Sequence, residues 1–280
     1  MAVQHETFNW KEDGIQYFGQ LWSPDNPKAV IALVHGMGEH SGRYDRTAKR
    51  FNDAGYAVIS FDLIGHGQTE GKRGHSPNLD VMYHSVMRLI EEAENRFSDL
   101  PIFLYGHSMG GNIAANTLLR LKPGVKGAVL SSPWLQLPAP PPAWQVLLGR
   151  IMMNIYPSFS DKTGLDSKAI SRIPEEVDLY ENDPLVHDRI TPSLFFPMAD
   201  AGQWILAQAK ALEVPVYLMH GTGDTLTSHK ASEQFAREGG KGITLRLWDK
   251  GYHELHHDKD REQVLNEVVD WLDSQLEGDA

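Results

Sequence analysis

The stretch Phe103-Leu104-Tyr105-Gly106-His107-Ser108-Met109-Gly110-Gly111-Asn112 constrains the fold more than any other part of the chain. Residues 101–105 are a short apolar run, rich in aromatics, of the kind that forms a buried strand. A helical pattern begins at Gly111 and continues through Leu121. Between the two lies a G-x-S-x-G match. A serine on so abrupt a strand-to-helix turn is forced into an unusual backbone conformation. Its neighbours two positions away on either side must be small, so that strand and helix can approach. The turn lifts the hydroxyl above the sheet edge, and the first N–H groups of the helix, lacking intrahelical acceptors, face any negative charge that develops there.

The rest of the chain repeats the strand-then-helix alternation. Residues 3–10 and 15–22 read as two strands joined around Lys11-Glu12-Asp13-Gly14, whose Asp-Gly pair signals a hairpin. Residues 29–34 and 56–61 are continuous apolar runs, the mark of strands buried on both faces. Further strands are expected at 125–131, 214–219 and 243–248. Helices are expected near 46–54, 79–96, 199–212, 229–237 and 261–276. In the last of these Val264, Leu265, Val268, Val269, Trp271, Leu272 and Leu276 share one face. The alternation predicts an α/β fold, a mostly parallel eight-stranded sheet with right-handed crossovers and an antiparallel N-terminal hairpin.

The pattern breaks after Ser132. The run Leu137-Pro138-Ala139-Pro140-Pro141-Pro142 leads into a segment with one apolar helix, 144–156, and no buried-strand pattern up to about Phe196. It is too short for a core of its own and reads as an insertion over the functional edge of the sheet. The expected layout is a core of residues 1–135 and 198–280, with residues 136–197 inserted as a helical cap.

Composition narrows the function. The 280 residues are 41% hydrophobic, enough for a sizeable core. Net charge is -11, which argues against nucleic acid and disfavours electrostatic docking on anionic membranes. The absence of cysteine excludes disulfides, thiol catalysis and zinc ribbons, and fits a cytoplasmic protein. The first ten residues lack the basic start and apolar run of a secretory signal, and no apolar stretch nears the ~20 residues of a membrane span.

A serine hydroxyl is a poor nucleophile until a base takes its proton. Histidine suits that task near neutral pH, and a buried carboxylate fixes its tautomer. Asp224 and His253 each follow a predicted strand, in the order serine, acid, histidine, and both fall at the same sheet edge as Ser108. Asp62 also follows a strand and is a rival acid, although its setting beside Gly65, His66 and Gly67 suits a turn held by side-chain hydrogen bonds. His35 and His107 are expected to order the surrounding loops. Donors for an oxyanion are expected from the backbone N–H groups of Met109 and Met37. The run His253-Glu254-Leu255-His256-His257 formally matches H-E-x-x-H, which binds zinc only on a helix that presents both histidines on one face. It follows a strand and Gly251 instead, so no metal and no organic cofactor is expected.

Taken together, these residues resemble the monoglyceride lipase branch of the α/β-hydrolases. His35-Gly36-Met37-Gly38-Glu39-His40-Ser41-Gly42-Arg43-Tyr44 is similar to that group's oxyanion loop. Asp62 through Gly67 and Gly71-Lys72-Arg73-Gly74 resemble its second loop, Glu176 through Leu185 a stretch of its cap, and Tyr252 through His256 its histidine loop. The resemblance covers nearly the whole chain. It implies an α/β-hydrolase fold with a mobile cap over an acyl tunnel. It also implies a serine carboxylester hydrolase that cleaves monoacylglycerols or similar single-chain lipid esters through an acyl-enzyme. Glu39, Arg43 and His256 would surround the head group, together with Tyr180 from the cap. A lysophospholipase, thioesterase or short-chain carboxylesterase on the same triad is the alternative, with a non-catalytic receptor more remote. A zinc hydrolase built on the H-E-x-x-H run is an equally remote alternative. The expected partner is a small lipid ester. An apolar cap surface could also dock on lipid, peripherally at a membrane, or on a second subunit. The plainer role of Glu39 and Arg43 is a local ion pair that orders their loop, and the two roles can coexist.

Overall fold

Strand β3 (Ala29–Val34) shows why the chain folds around a two-sided sheet. All six residues are buried, and they alternate. Ala29, Ile31 and Leu33 enter one apolar cluster, and Val30, Ala32 and Val34 the other. A strand of period two with no polar face needs helices on both sides. The computed structural model describes residues 3–277.

In chain order the first elements are β1 (Val3–Glu12) and β2 (Ile15–Pro24), then β3, α1 (Asp45–Asp53), β4 (Tyr56–Phe61) and α2 (Leu79–Arg96). They are followed by β5 (Ile102–His107), α3 (Met109–Arg120) and β6 (Gly127–Ser131). The chain then leaves the sheet through α4 (Ala143–Ile155), β7 (Asp161–Lys162), α5 (Pro174–Glu181) and β8 (Arg189–Ile190). It returns with α6 (Pro192–Gln208), β9 (Val216–Gly221), α7 (His229–Gly239), β10 (Ile243–Trp248) and α8 (Arg261–Glu277).

The sheet order is β1-β2-β4-β3-β5-β6-β9-β10. The six strands from β4 to β10 pair in parallel, while β1 and β2 form an antiparallel hairpin that joins β4 antiparallel. Asp13 and Gly14 at the hairpin turn both have positive φ, the conformation expected of an Asp-Gly two-residue loop. Helices α1 and α8 cover one face through Phe51, Val264, Val268 and Leu272. Helices α2, α3, α6 and α7 cover the other through Val86, Ile113, Met198 and Phe235. Because the six parallel strands point the same way, the loops that follow them gather at one rim.

Two features differ from the sequence reading. Helix α6 starts at Pro192, well before the expected start near 199, and runs through Pro197. Pro192 suits the first helical position because its fixed φ is already helical and its missing N–H would have no partner there. The expected boundary at 197/198 therefore falls inside one helix. The segment before α6 also contains a short antiparallel pair, β7 with β8, which has no apolar signature because three of its four residues are exposed.

That segment is tied to the rim by backbone bonds. The Thr191 N–H donates to the Gly74 carbonyl at 3.0 Å and the His187 N–H to the Gly38 carbonyl at 2.9 Å. The Glu254 N–H donates to the Ile170 carbonyl at 2.8 Å. Arg172 pairs with the buried Asp258 at 2.8 Å. Helix α4 has no buried residue.

Candidate active site

Ser108 joins β5 to α3 with φ +53° and ψ −118°, a conformation that costs a non-glycine residue on the order of 1–3 kcal/mol. Its surroundings hold it there. The Ser108 N–H donates to the Ser131 carbonyl at 2.9 Å, and the Ser108 carbonyl accepts from the Trp134 N–H at 2.9 Å. The glycines are needed for close approach. A Cβ on Gly106 would meet Ala114 Cβ at 2.8 Å, and one on Gly110 would strike the carbonyl oxygens of Val34 and His35.

The loops after β9 and β10 bring two more groups to the serine. His253 Nε2 lies 2.9 Å from Ser108 Oγ, and His253 Nδ1 lies 2.7 Å from Asp224 Oδ2. Asp224 Oδ1 accepts from the N–H groups of Leu226 and Thr227 at 2.7 and 3.0 Å. Its Oδ2 also accepts from Thr227 Oγ1 at 2.9 Å. Burial opposes charge on Asp224. The facing His253 and the bonds from His220 and His253 outweigh it and hold the carboxyl well below the usual range. Burial likewise opposes charge on His253, but Asp224 more than compensates, so its pKa is raised. The rival Asp62 is fully buried and used elsewhere: its Oδ1 accepts from Ser41 N and Oγ at 2.8 and 2.6 Å, and its Oδ2 from Gln68 N at 2.7 Å.

Met109 opens α3, so its N–H belongs to the first helical turn, whose donors have no intrahelical acceptor. Met37 follows β3 and stands in the cavity wall beside Ser108. The loop between is braced by Glu39, whose Oε1 accepts from the Gly36 N–H at 2.6 Å and the Tyr44 hydroxyl at 2.8 Å. Arg43 is 8% exposed at its side chain and is spent on two carboxylates. One nitrogen bridges Glu39 and Glu254 at 2.7 Å each, and the other reaches Glu254 at 2.7 Å. The guanidinium also sits 4.7 Å from the Tyr180 ring centroid. Burial disfavours the charge on Glu254, yet Arg43 and His257 hold it well below the ordinary carboxylate range.

The four residues implied to contact a head group divide. Glu39 and Tyr180 line the cavity; Arg43 and His256 stand behind its wall. His256 is fully buried, stacked 4.9 Å from Tyr44 and edge-on 4.9 Å from His107, and neither ring nitrogen has a hydrogen-bond partner among the described residues. Burial, then the neighbouring His257, pushes its pKa well below the ordinary value. Two groups went unassigned in the sequence reading. Glu254 is read from the sequence only as part of H-E-x-x-H and of the histidine loop, with no role of its own. His220 is the second imidazole on Asp224, at 3.1 Å; the signal was its place at a strand end four residues before an acid.

The H-E-x-x-H run does not make a helical face, since residues 255–257 form a single tight turn. Glu254, His256 and His257 do bring one ligand atom each within 4.8 Å of one another. Arg43 occupies both oxygens of Glu254, and His257 Nδ1 bonds to the same carboxylate at 2.9 Å.

Above Ser108 opens a cavity of about 320 Å³. Leu137, Leu165, Ile170, Phe195 and Leu226 make it largely apolar, while Glu39, Tyr180, His253 and Glu254 add polar groups. Residues 25–260 match the family described as serine aminopeptidase, S33.

The chain belongs to this family of α/β-hydrolases. It is a serine hydrolase. It is 32% identical over 266 residues to a monoacylglycerol lipase of Mycolicibacterium smegmatis, covering 94% of this chain and 95% of that protein. It is 32% identical over 262 residues to an uncharacterized abhydrolase domain-containing protein of Dictyostelium discoideum, covering 92% of this chain but only 28% of the longer protein. The crystal structure of Paleococcus ferrophilus monoacylglycerol lipase superposes with a TM-score of 0.83 at 32% identity, covering 98% of this chain and 100% of that one.

Proposed function

We propose that this hydrolase cleaves monoacylglycerols and similar single-chain lipid esters, with Ser108 as nucleophile, His253 as base and Asp224 as its orienting acid. The observation that carries the reading is the unbroken hydrogen-bonded line from Ser108 Oγ through His253 to Asp224, opening into a mostly apolar cavity. Ser108 attacks the ester carbonyl as His253 Nε2 takes its proton. The N–H groups of Met37 and Met109 receive the negative charge on the carbonyl oxygen. His253 then protonates the leaving alcohol, and a water activated by the same imidazole releases the fatty acid. The resemblance to monoacylglycerol lipases supports this substrate class.

The polar part of the cavity favours a neutral polyol over a phosphate. Glu39 and Glu254 both line it, and one buried Arg43 between two carboxylates leaves the cluster with an excess of negative charge. A glycerol head group can donate hydrogen bonds there, whereas a phosphate would be repelled.

Residues 136–197 are proposed to act as a cap that meets lipid through α4. On that helix Trp144, Leu147 and Ile155 are 65%, 65% and 73% exposed, too much apolar surface to leave in water without use. With a net charge of -11, docking on a zwitterionic surface is favoured over an anionic one. No helix among the described residues is long and apolar enough to cross a membrane.

A chain-length series on glycerol, choline-phosphate and simple alcohol esters, run beside Ser108→Ala, tests the reading. Turnover of monoacylglycerols well above that of lysophospholipids, abolished by the substitution, is expected. Equal or better turnover of choline-phosphate esters would overturn the substrate assignment, and activity in Ser108→Ala the mechanism.

A further inference from the structure

A second cluster of polar groups lies on the far side of Asp224 from the serine. Asp224 Oδ2 is 2.7 Å from His253 Nδ1 and 3.1 Å from His220 Nε2. Two imidazoles converge on one carboxylate oxygen, and only His253 also reaches Ser108. We infer that His220 is a positioning residue for the reaction: a neutral imidazole that donates its Nε2–H to Asp224 and holds that carboxylate oriented and ionised for His253. The inference rests on the reading of Asp224 as the acid of the triad.

The proton on His220 can be placed from its partners. A carboxylate can only accept, so the nitrogen facing Asp224 must carry the hydrogen. The other nitrogen, Nδ1, is 2.8 Å from Ser232 Oγ on α7, and a hydroxyl can turn to donate. The Thr227 carbonyl, 3.3 Å from Nε2, is a second acceptor on the same side. Both His220 and Ser232 are fully buried, so water does not compete for either bond. Burial, which outweighs the pull of Asp224, lowers the pKa of His220, and the ring stays neutral. Neutrality matters. A cationic His220 would cancel the charge of Asp224 and weaken its hold on the imidazolium that forms at His253.

The charged and titratable groups around the pair are few. His107 packs 4.8 Å from the His253 ring, His229 lies 6.4 Å from the His220 ring, and Glu39 and Glu254 act on His253 at longer range. Of these rings, His220 alone bonds to Asp224 besides His253. Without it Oδ2 keeps only His253 and Thr227 Oγ1 as donors, and the carboxylate is held less tightly in line with His253. Small losses of alignment at a catalytic group are expensive in rate.

The test compares His220→Leu with His220→Gln in the full chain on a soluble single-chain ester. Leucine removes the donor and keeps an apolar filler. Glutamine places an amide N–H close to the position of Nε2 and an oxygen toward Ser232. His220→Leu is expected to lower kcat roughly ten- to a hundredfold with KM within about twofold, and to shift the low-field proton resonance of the His253–Asp224 bond. His220→Gln should recover kcat to within about threefold of the parent. Should His220→Leu fail to fold, Ser232→Ala, which removes the hydroxyl that braces Nδ1 and lets the ring shift from Asp224, is expected to lower kcat roughly threefold or more, and an unchanged kcat would overturn the inference. A folded His220→Leu with kcat within twofold of the parent would overturn the inference. So would His220→Gln as impaired as His220→Leu, since the ring would then matter only as filler. Asp224→Asn run alongside separates the two readings. If it too keeps full activity, the triad assignment has failed; if it is inactive while His220→Leu is not, only the role of His220 has.

Discussion

Replacing Asp224 by asparagine keeps the size of the side chain and removes its ability to accept everywhere. Five donors point at this carboxylate: the N–H groups of Leu226 and Thr227 on Oδ1, and His253, His220 and Thr227 Oγ1 on Oδ2. An amide has one oxygen and one NH₂. If the NH₂ takes the Oδ1 position, two backbone N–H groups face it. If it takes the Oδ2 position, His253 must turn its tautomer so that Nδ1 accepts, which leaves Nε2 protonated against Ser108 and unable to take its proton. The first arrangement leaves two buried donors unpaired and the second at least one, a stability cost of about 2 kcal/mol or more. That is tolerable for a domain with a typical margin of ~5–15 kcal/mol. The rate suffers more: the same substitution in the Ser-His-Asp template lowers kcat by about 10⁴, equivalent to about 5.5 kcal/mol of barrier. The assay is hydrolysis of a soluble ester, with a thermal melt to establish that the variant is folded. A folded Asp224→Asn within tenfold of the parent kcat would refute the claim that this carboxylate sets the tautomer of His253.

Three further outcomes are expected. Glu254→Gln should lower stability by about 3 kcal/mol in a thermal or urea melt, because Arg43 stays buried while losing its two-point charged partner. His107 is buried and held neutral, with its pKa lowered to about 4. The unfolded chain therefore binds the proton first, and stability falls as pH drops from about 6.5 toward 4, by on the order of 3 kcal/mol from this residue. A Tm that is flat across that interval would contradict it. Asp224 and Glu254, whose pKa values are depressed, contribute stability above the unfolded carboxylate range that is lost only at still lower pH. Finally, Trp144→Ser with Leu147→Ser should abolish flotation with phosphatidylcholine vesicles while leaving hydrolysis of a soluble short-chain ester unchanged; retained flotation would move the lipid contact away from α4.

The elements that the sequence made legible are those with strong local patterns. Strand β3 is apolar at every position because both of its faces are buried, and that run is visible without coordinates. Helix α2 carries Met82, Val86, Leu89, Ile90 and Ala93 on its buried face at helical spacing. The serine turn announces itself through Gly106 and Gly110, where no side chain fits. The start of α6 was hidden, because Pro197 reads as a helix breaker when it is tolerated within a helix already under way. Glu254 was hidden for another reason. Its guanidinium partner is 211 positions away, and a glutamate beside a histidine carries no sign of burial.

Residue order alone nominated the groups proposed to do the chemistry. The hydroxyl, the imidazole and the carboxylate each follow an apolar run, and parallel strands deliver whatever follows them to one rim. Tertiary structure decided how those groups are held. Ser108 and His253 are 145 positions apart, and their 2.9 Å separation depends on how the whole sheet closes, on residues 169–170 bonding the histidine loop, and on which side chains are left to face Asp224. Local pattern encodes burial and turns, because those act over a few residues. It does not encode which distant donor will fill a given lone pair, because that is settled only when every element has packed.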